Sequence, residues 1–403
     1  MNLSFRDIEL AAKRLLSVIK PTRLIRSETL SRMLEAEVFI KPENLQKTGS
    51  FKLRGAYNRI VSLAPGEADR GVIAASAGNH GQALAYAATL AGVSATIVVP
   101  RSAPIAKVEA IRGYGQRVML EGEDYRSAQE TAAKLRDQTG AILIHAYNDP
   151  LVIAGQATIG LEIASELQAD MVFVPVGGGG LIAGIALALG ETSPNAQVIG
   201  VEAAGSPQLS ASLAAGKAVS IVQYADTIAD GLASGTIGDL PFEILRPRLG
   251  EVVAVDDFEI GEAVLLLLER MKLLAEGAGA AALAGAIKFR HQVRGRRVVL
   301  VITGGNIDMN LLDRIIGHGL VKMGRLLRVS VDLRDRPGQL APLLTLIGAL
   351  GASVLHVDCD RHPADLALGS VRVSLELETR GPDHIDAIRC ALDRNGYAIT
   401  TGR

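Results

Sequence analysis

Several residue types are scarce in this chain, and each scarcity removes a class of protein. The 403 residues include no tryptophan, seven phenylalanines and seven tyrosines. The core must therefore be aliphatic, and the chain does not supply aromatic platforms for single-stranded nucleic acid. Two cysteines, Cys359 and Cys390, cannot build a disulfide framework, which fits a reducing compartment such as the cytoplasm. Neither sign of charge dominates: 42 Lys and Arg stand against 43 Asp and Glu, a formal net charge of −1. A chain without a basic excess is not built to hold a polyanion. Residues 1–20 carry charges at Arg6, Asp7, Glu9, Lys13 and Arg14 and lack the apolar run of a signal peptide. Their apolar positions, Ile8, Leu15, Val18 and Ile19, are spaced for an amphipathic helix. The two longest uncharged stretches, residues 81–100 and 171–190, do not read as membrane spans. Small and polar residues dilute the first, and Pro175 with four glycines breaks the second.

What is abundant is aliphatic and glycine. Hydrophobic residues make up 48% of the chain, enough for a large core, and 43 glycines exceed the usual share of about 7%. From about residue 37, short β-branched runs alternate with helical stretches. Strands are predicted at 37–41, 71–75, 95–99, 117–120, 141–144, 171–175, 197–202 and 297–303. Helices are predicted at 52–63, 79–90, 105–113, 125–139 and 151–167. Continuous apolar strands separated by helices indicate parallel sheets covered on both faces. Residues 1–320 thus read as a two-lobed, doubly wound α/β unit, with residues 45–145 as a smaller, mobile lobe. The tail changes character after a break at 317–324. Strands at 325–333, 353–360, 370–378 and 397–401, with helices at 338–350 and 383–394, give the order β-α-β-β-α-β. That is a ferredoxin-like α+β domain over residues 325–403.

Four segments could carry chemistry. Lys52 stands where the turn Thr48-Gly-Ser50 opens a helix, with Ser50 as the expected N-cap. The positive end of a helix dipole disfavours an ammonium there, and an easily deprotonated lysine can bond a carbonyl carbon. An ordinary solvated lysine is the plain alternative. Ser76-Ala-Gly-Asn-His-Gly-Gln82 follows an apolar strand, where ligands bind in parallel sheets. Its Ser76, Asn79 and amides suit a carboxylate or phenolic oxygen, or else cap a helix. Val176-Gly-Gly-Gly-Gly-Leu181 lies between strand and helix, a cradle for phosphate. Gly178, Gly180 and Ala183 also fit a loose dinucleotide fingerprint, with Glu202 ending the next strand. Thr303, in Ile302-Thr-Gly-Gly-Asn306, could bond a ring nitrogen or cap a helix over 309–318. Glu276 opens an alanine-rich helix over 280–287. No His and Cys cluster has zinc spacing.

Taken in order, these segments resemble the fold-type II pyridoxal-phosphate enzymes over residues 5–320. The resemblance rests on Ser50-Phe-Lys-Leu-Arg-Gly-Ala56, Ser76–His80, the glycine loop and Thr303. It implies that Lys52 bonds the cofactor covalently and acts as base, with Phe51 against the ring. It implies that Asn79 meets the ring oxygen, that Gly177, Gly178, Gly179, Gly180 and Leu181 hold the phosphate, and that Thr303 faces the ring nitrogen. It implies that Ser76 grips the substrate carboxylate and that Glu276 lines the site. Within the family the chain looks like the threonine dehydratase and serine racemase branch, through Ala154-Gly-Gln-Ala-Thr158, Thr227-Ile-Ala-Asp-Gly231 and Glu269-Arg-Met-Lys-Leu-Leu274. Racemases of that branch have a serine where Ala77 stands, so dehydration of threonine or serine is the implied reaction; 3-hydroxyaspartate is a further candidate substrate. The branch often binds a divalent cation, and Glu202 matches its ligand, with Ser206 and Gln208 nearby. The tail resembles an ACT regulatory domain, through Asp335-Arg-Pro-Gly-Gln-Leu340. That likeness implies pairing into a homo-oligomer and a possible amino-acid effector. Two other classes stay open at this point: a dinucleotide-dependent enzyme, and an amino-acid sensor without turnover.

Overall fold

A computed structural model of the protein describes residues 3–221 and 227–400. The chain divides into two compact units, Met1–Asp308 and Met309–Arg403. The helix Met309–Lys322 is thereby grouped with the C-terminal unit, ahead of the glycines at which the sequence pattern breaks.

The first unit holds two sheets. The larger has six strands in the order Ile25–Arg26, Glu37–Pro42, Arg297–Ile302, Met171–Pro175, Gln197–Ala203 and Leu249–Val255. All its pairings are parallel except that of the short first strand. The smaller sheet is wholly parallel, in the order Arg117–Leu120, Ala95–Val99, Val72–Ala75 and Ile142–Leu143. Strand Met171–Pro175 is buried at every position, as expected of a strand covered on both faces. The uncharged stretches that invited a membrane test fold as helix plus strand, and no helix among the described residues is long and apolar enough to cross a membrane.

Two features of this architecture prepare a site. In each sheet the chain order reverses beside one strand, Arg297–Ile302 in the larger and Val72–Ala75 in the smaller. Crevices open at the carboxyl ends of such strands, and Thr303 and Ser76 are the first residues past those ends. The helices Pro150–Glu166 and Gly180–Thr192 also pack backbone to backbone. A Cβ on Gly160 would lie 3.1 Å from the Ile185 carbonyl oxygen, and one on Gly184 would lie 2.8 Å from that of Ile153.

In the C-terminal unit, strands run in the order Ser353–Asp360, Ser370–Glu378, Leu326–Arg334 and Ile399–Thr400, all antiparallel. Helices Leu340–Ala349 and Pro382–Arg394 bring Leu343, Ile347, Ile388 and Leu392 into the sheet's apolar core. This is the ferredoxin-like order. Thr401, the predicted end of the last strand, lies outside the described residues.

Candidate active site

One cleft of about 350 Å³ gathers the segments that the sequence singles out. Its floor is built by strand ends. Ser50 bridges Gly304, and the Phe51 amide donates to the Thr303 carbonyl at 3.1 Å. These bonds stitch the turn before helix Lys52–Ile60 to the end of strand Arg297–Ile302, so Lys52 and Thr303 line one cavity. Ser50 does not cap that helix. Phe51 is the N-cap residue, without a side-chain cap, and the Ser50 hydroxyl is buried with no hydrogen-bond partner among the described residues. The pull of the bridge to Gly304 turns Ser50 away from the helix end.

Lys52 Nζ donates to the Ala146 carbonyl at 3.1 Å and sits 5.2 Å from the centre of the Phe51 ring. Burial lowers its pKa to about 8, although the Glu276 carboxylate pulls the other way. Such an amine loses its proton far more readily than a solvated lysine, which removes the plain alternative for this residue. Beside it, His80 bonds the Ile144 carbonyl at 3.0 Å, and burial with the Lys52 charge pushes its pKa down to about 3. His80 is therefore neutral at physiological pH and structural.

The glycine loop forms the opposite wall. Gly179 has φ of +88° and is the N-cap of helix Gly180–Thr192, so no side chain caps that helix. A Cβ on Gly178 would lie 2.3 Å from the Tyr147 ring. The first amides of an α-helix have no intrahelical acceptor, and the helix dipole adds positive potential there. The loop thus presents free amides to the cleft, with Leu181 as the next lining residue.

Asn79 and Ser76 complete the small-sheet side. Ser76 Oγ accepts from the Gly78 amide at 3.2 Å, and Asn79 begins helix Asn79–Ala91. Asn79 Nδ2 donates to Glu276 Oε1 at 2.6 Å. Glu276 is the N-cap residue of helix Gly277–Lys288, but its side chain makes no cap bond and lines the cleft instead. Burial, with the Asp230 carboxylate adding to it, raises its pKa to about 7. Thr303 Oγ1 lies 3.4 Å from the Ala278 carbonyl. The next helix starts only at Met309, so Thr303 is not its cap.

A model of pyridoxal-phosphate-dependent enzymes matches residues 15–304 of the chain. The chain belongs to this family. It is similar to an L-threonine ammonia-lyase of Thermotoga maritima, 46% identical over 398 residues, which cover 98% of this chain and 99% of that protein. It resembles the processed form of threonine deaminase isoform 2 from Solanum lycopersicum, with a TM-score of 0.75 and 36% identity over 78% of this chain and 87% of that one. It also resembles serine racemase from Dictyostelium discoideum, with a TM-score of 0.71 and 37% identity over 76% of this chain and 99% of that one.

Pyridoxal phosphate is the cofactor of this family, and the donor set of the cleft suits it. A readily deprotonated amine, a helix-end cradle for a dianion, a side-chain amide and a hydroxyl all face one cavity of sufficient size. The family assignment removes the dinucleotide reading of Gly178, Gly180 and Ala183. Glu202 stands apart from the cleft. Its carboxylate accepts from the Leu209 amide at 3.0 Å and from the Ser210 hydroxyl, at the start of helix Gln208–Ala215. Gln208 is spent on the Val176, Gly177 and Leu232 carbonyls and on Ser206 Oγ. Among the described residues no group of three or more His, Cys, Asp or Glu is placed to hold a metal ion. In this arrangement the Glu202 carboxylate serves a helix N-terminus.

Among the lining residues that sequence reasoning missed, four carry aromatic or charged side chains. Tyr147 and Tyr125 bring aromatic rings to the cleft, and burial raises the Tyr147 pKa to about 12. Lys107 Nζ and Asp230 Oδ2 pair across it at 2.5 Å. Asp230 lies within the stretch Thr227–Gly231, which was legible as a motif without a role. Nothing in the local pattern marks the other three.

Proposed function

We propose that this protein is a pyridoxal-phosphate-dependent L-threonine ammonia-lyase. It removes the β-hydroxyl as water, and water then hydrolyses the resulting imine to release ammonia and 2-oxobutanoate; from L-serine the product would be pyruvate. The observation that carries this reading is the convergence of Lys52, the glycine loop, Asn79 and Thr303 on one cleft. The near full-length similarity to a threonine ammonia-lyase supports the choice of substrate.

When bound, pyridoxal phosphate supplies an electron sink for charge left on the substrate's α-carbon. The rest falls to the chain. The amides of Gly177, Gly178, Gly179, Gly180 and Leu181 would hold the phosphate. Lys52 would bond the aldehyde carbon and, once the substrate's amine displaces it, the freed amine would take the α-proton, a task suited to a group whose pKa lies near 8. Phe51 would pack on the ring, Asn79 would meet its phenolic oxygen, and the neutral Thr303 hydroxyl would meet its nitrogen. Glu276 lines the cleft beside Asn79. Ser76 and the amides beside it hold the substrate carboxylate. The cleft walls exclude water from the reacting carbon. The smaller sheet with its helices is the lobe that would close over the substrate.

Racemisation is the second reading, favoured by the likeness to a serine racemase. It needs an acid–base group on the substrate's other face. Ala77 lines the cleft at the position in question and offers none. The C-terminal unit we read as an ACT-type module that pairs between copies and takes an amino-acid effector near Asp335–Leu340, in a cytoplasmic homo-oligomer.

The test is release of 2-oxo acid from L-threonine and L-serine by the wild type and Lys52→Ala, with cofactor absorbance as loading control. The expected result is 2-oxobutanoate release that falls by roughly 10³-fold or more in the variant. A cofactor-loaded wild type that racemises serine and releases no oxo acid would overturn the lyase reading.

A further inference from the structure

We propose that Asn306 is a positioning residue that fixes which way the Asn79 amide faces, so that its NH2 group, not its oxygen, is presented to the cofactor. The inference rests on the reading that Asn79 meets the cofactor's phenolic oxygen.

The argument is one of donors and acceptors. Asn306 follows strand Arg297–Ile302, and its Nδ2 makes two bonds, to the Thr48 carbonyl at 2.9 Å and to Asn79 Oδ1 at 2.7 Å. A backbone carbonyl can only accept. The end of Asn306 that faces Thr48 must therefore be its NH2. Because that same NH2 also faces Asn79, Asn79 must answer with its oxygen. Its own NH2 is then forced to the other end, where it meets Glu276 Oε1 at 2.6 Å.

Thr48 is a dependable anchor for this chain of bonds. Its turn is closed by the Gly49 amide on the Gln46 carbonyl at 2.8 Å, and the Gly305 amide donates to the Gly49 carbonyl at 2.9 Å. One carboxamide thus ties together the turn before Lys52, the start of helix Asn79–Ala91 and the loop after Thr303.

Glu276 cannot set the amide by itself. A carboxyl group poised near neutrality accepts when ionised and donates when protonated, so it tolerates either face of Asn79. Asn306 removes that freedom. The Asn79 NH2 carries two hydrogens, one for Glu276 and one for the phenolic oxygen. With the amide reversed, its oxygen would confront the phenolate, acceptor against acceptor.

The test is a double-mutant cycle on the holoenzyme with Asn79→Ala, Asn306→Ala and the pair. The readouts are the dissociation constant of pyridoxal phosphate, the pH titration of its visible absorption band, and thermal unfolding. Each single variant is expected to weaken cofactor binding by roughly tenfold and to shift the titration midpoint, and the pair should be no worse than Asn79→Ala alone. Asn306→Asp keeps the size but not the paired donation. It should behave like Asn306→Ala, and it carries the test if the alanine variant does not fold. Additive losses, or an Asn306 variant that lowers only the unfolding temperature and leaves the band unmoved, would overturn the proposal. If Asn79→Ala itself leaves affinity and band unchanged, the placement of Asn79 at the cofactor fails instead, and the proposal with it.

Discussion

Asn79 and Glu276, 197 residues apart in sequence, meet in a 2.6 Å hydrogen bond inside the cleft. The bond stabilises the ionised carboxyl, yet burial outweighs it and the Glu276 pKa rises from 4.5 to about 7. The folded state therefore binds a proton that the unfolded chain has already released. In the cofactor-free protein, stability should fall as pH rises from about 4.5 to about 7, by roughly 3 kcal/mol at most, and level off on either side. Glu276→Gln should remove that slope. Urea unfolding across this window measures it, and an unchanged slope in the variant would assign the pH dependence to other groups.

Lys52 gives a slope of the opposite sign. Its pKa falls from 10.5 to about 8 because burial disfavours the ammonium. Between these values the unfolded chain holds more protons, so stability of the cofactor-free protein should rise with pH from about 8 to 10.5. Lys52→Met should flatten this limb and, by removing a charge that favours the ionised Glu276, shift the upper edge of the acid window to higher pH.

The contact between Gly178 and Tyr147 predicts a rescue. A methyl group on Gly178 would meet the tyrosine ring at 2.3 Å, so Gly178→Ala must displace either the ring or the loop. Cofactor affinity should drop at least tenfold, because the loop's amides lose their aim. Tyr147→Ala in the same chain should recover part of the loss. Cofactor titration of the two single variants and the double variant reads the coupling. Strict additivity would show that the ring is not the obstacle.

Behind the site, Arg54 is wholly buried and bonds both oxygens of Glu43, at 2.8 Å and 2.7 Å, with Glu162 also in reach at 2.5 Å. Arg54→Met would leave the buried Glu43 without its cation. Breaking one side of such a pair typically costs about 3–5 kcal/mol. Denaturant unfolding should show a loss of that order.

The sequence discloses what is local and hides what is built by distant approach. Strands 95–99 and 171–175 are legible to the residue because each is a largely apolar run with β-branched residues between breakers. The edge strand Leu249–Val255 is not, since Gly250 and Glu251 interrupt its pattern and only its far end is buried. The short strand Ile25–Arg26 is exposed, and its two residues are too few to show an alternation. At the site, Lys52, the glycine loop and Thr303 announce themselves because their chemistry depends on backbone turns that leave a local imprint. Tyr147, Lys107 and the Asn306 clasp depend on contacts spanning tens to hundreds of residues, which no window of sequence contains. Ser50 shows the same limit in reverse. It looks like a helix cap, and the tertiary bridge to Gly304 overrides that preference.

The close approach of helices Pro150–Glu166 and Gly180–Thr192 has a mechanical consequence. Tyr147 stands three residues before the first helix, and the glycine loop runs directly into the second. Where Gly160 and Gly184 sit, only a hydrogen atom fits between the backbones. A slip of one helix along the other by a single residue would wedge a larger side chain into that gap. The two helices are keyed together like lock wards. The tyrosine and the glycine amides at their near ends are therefore held in a fixed register with each other.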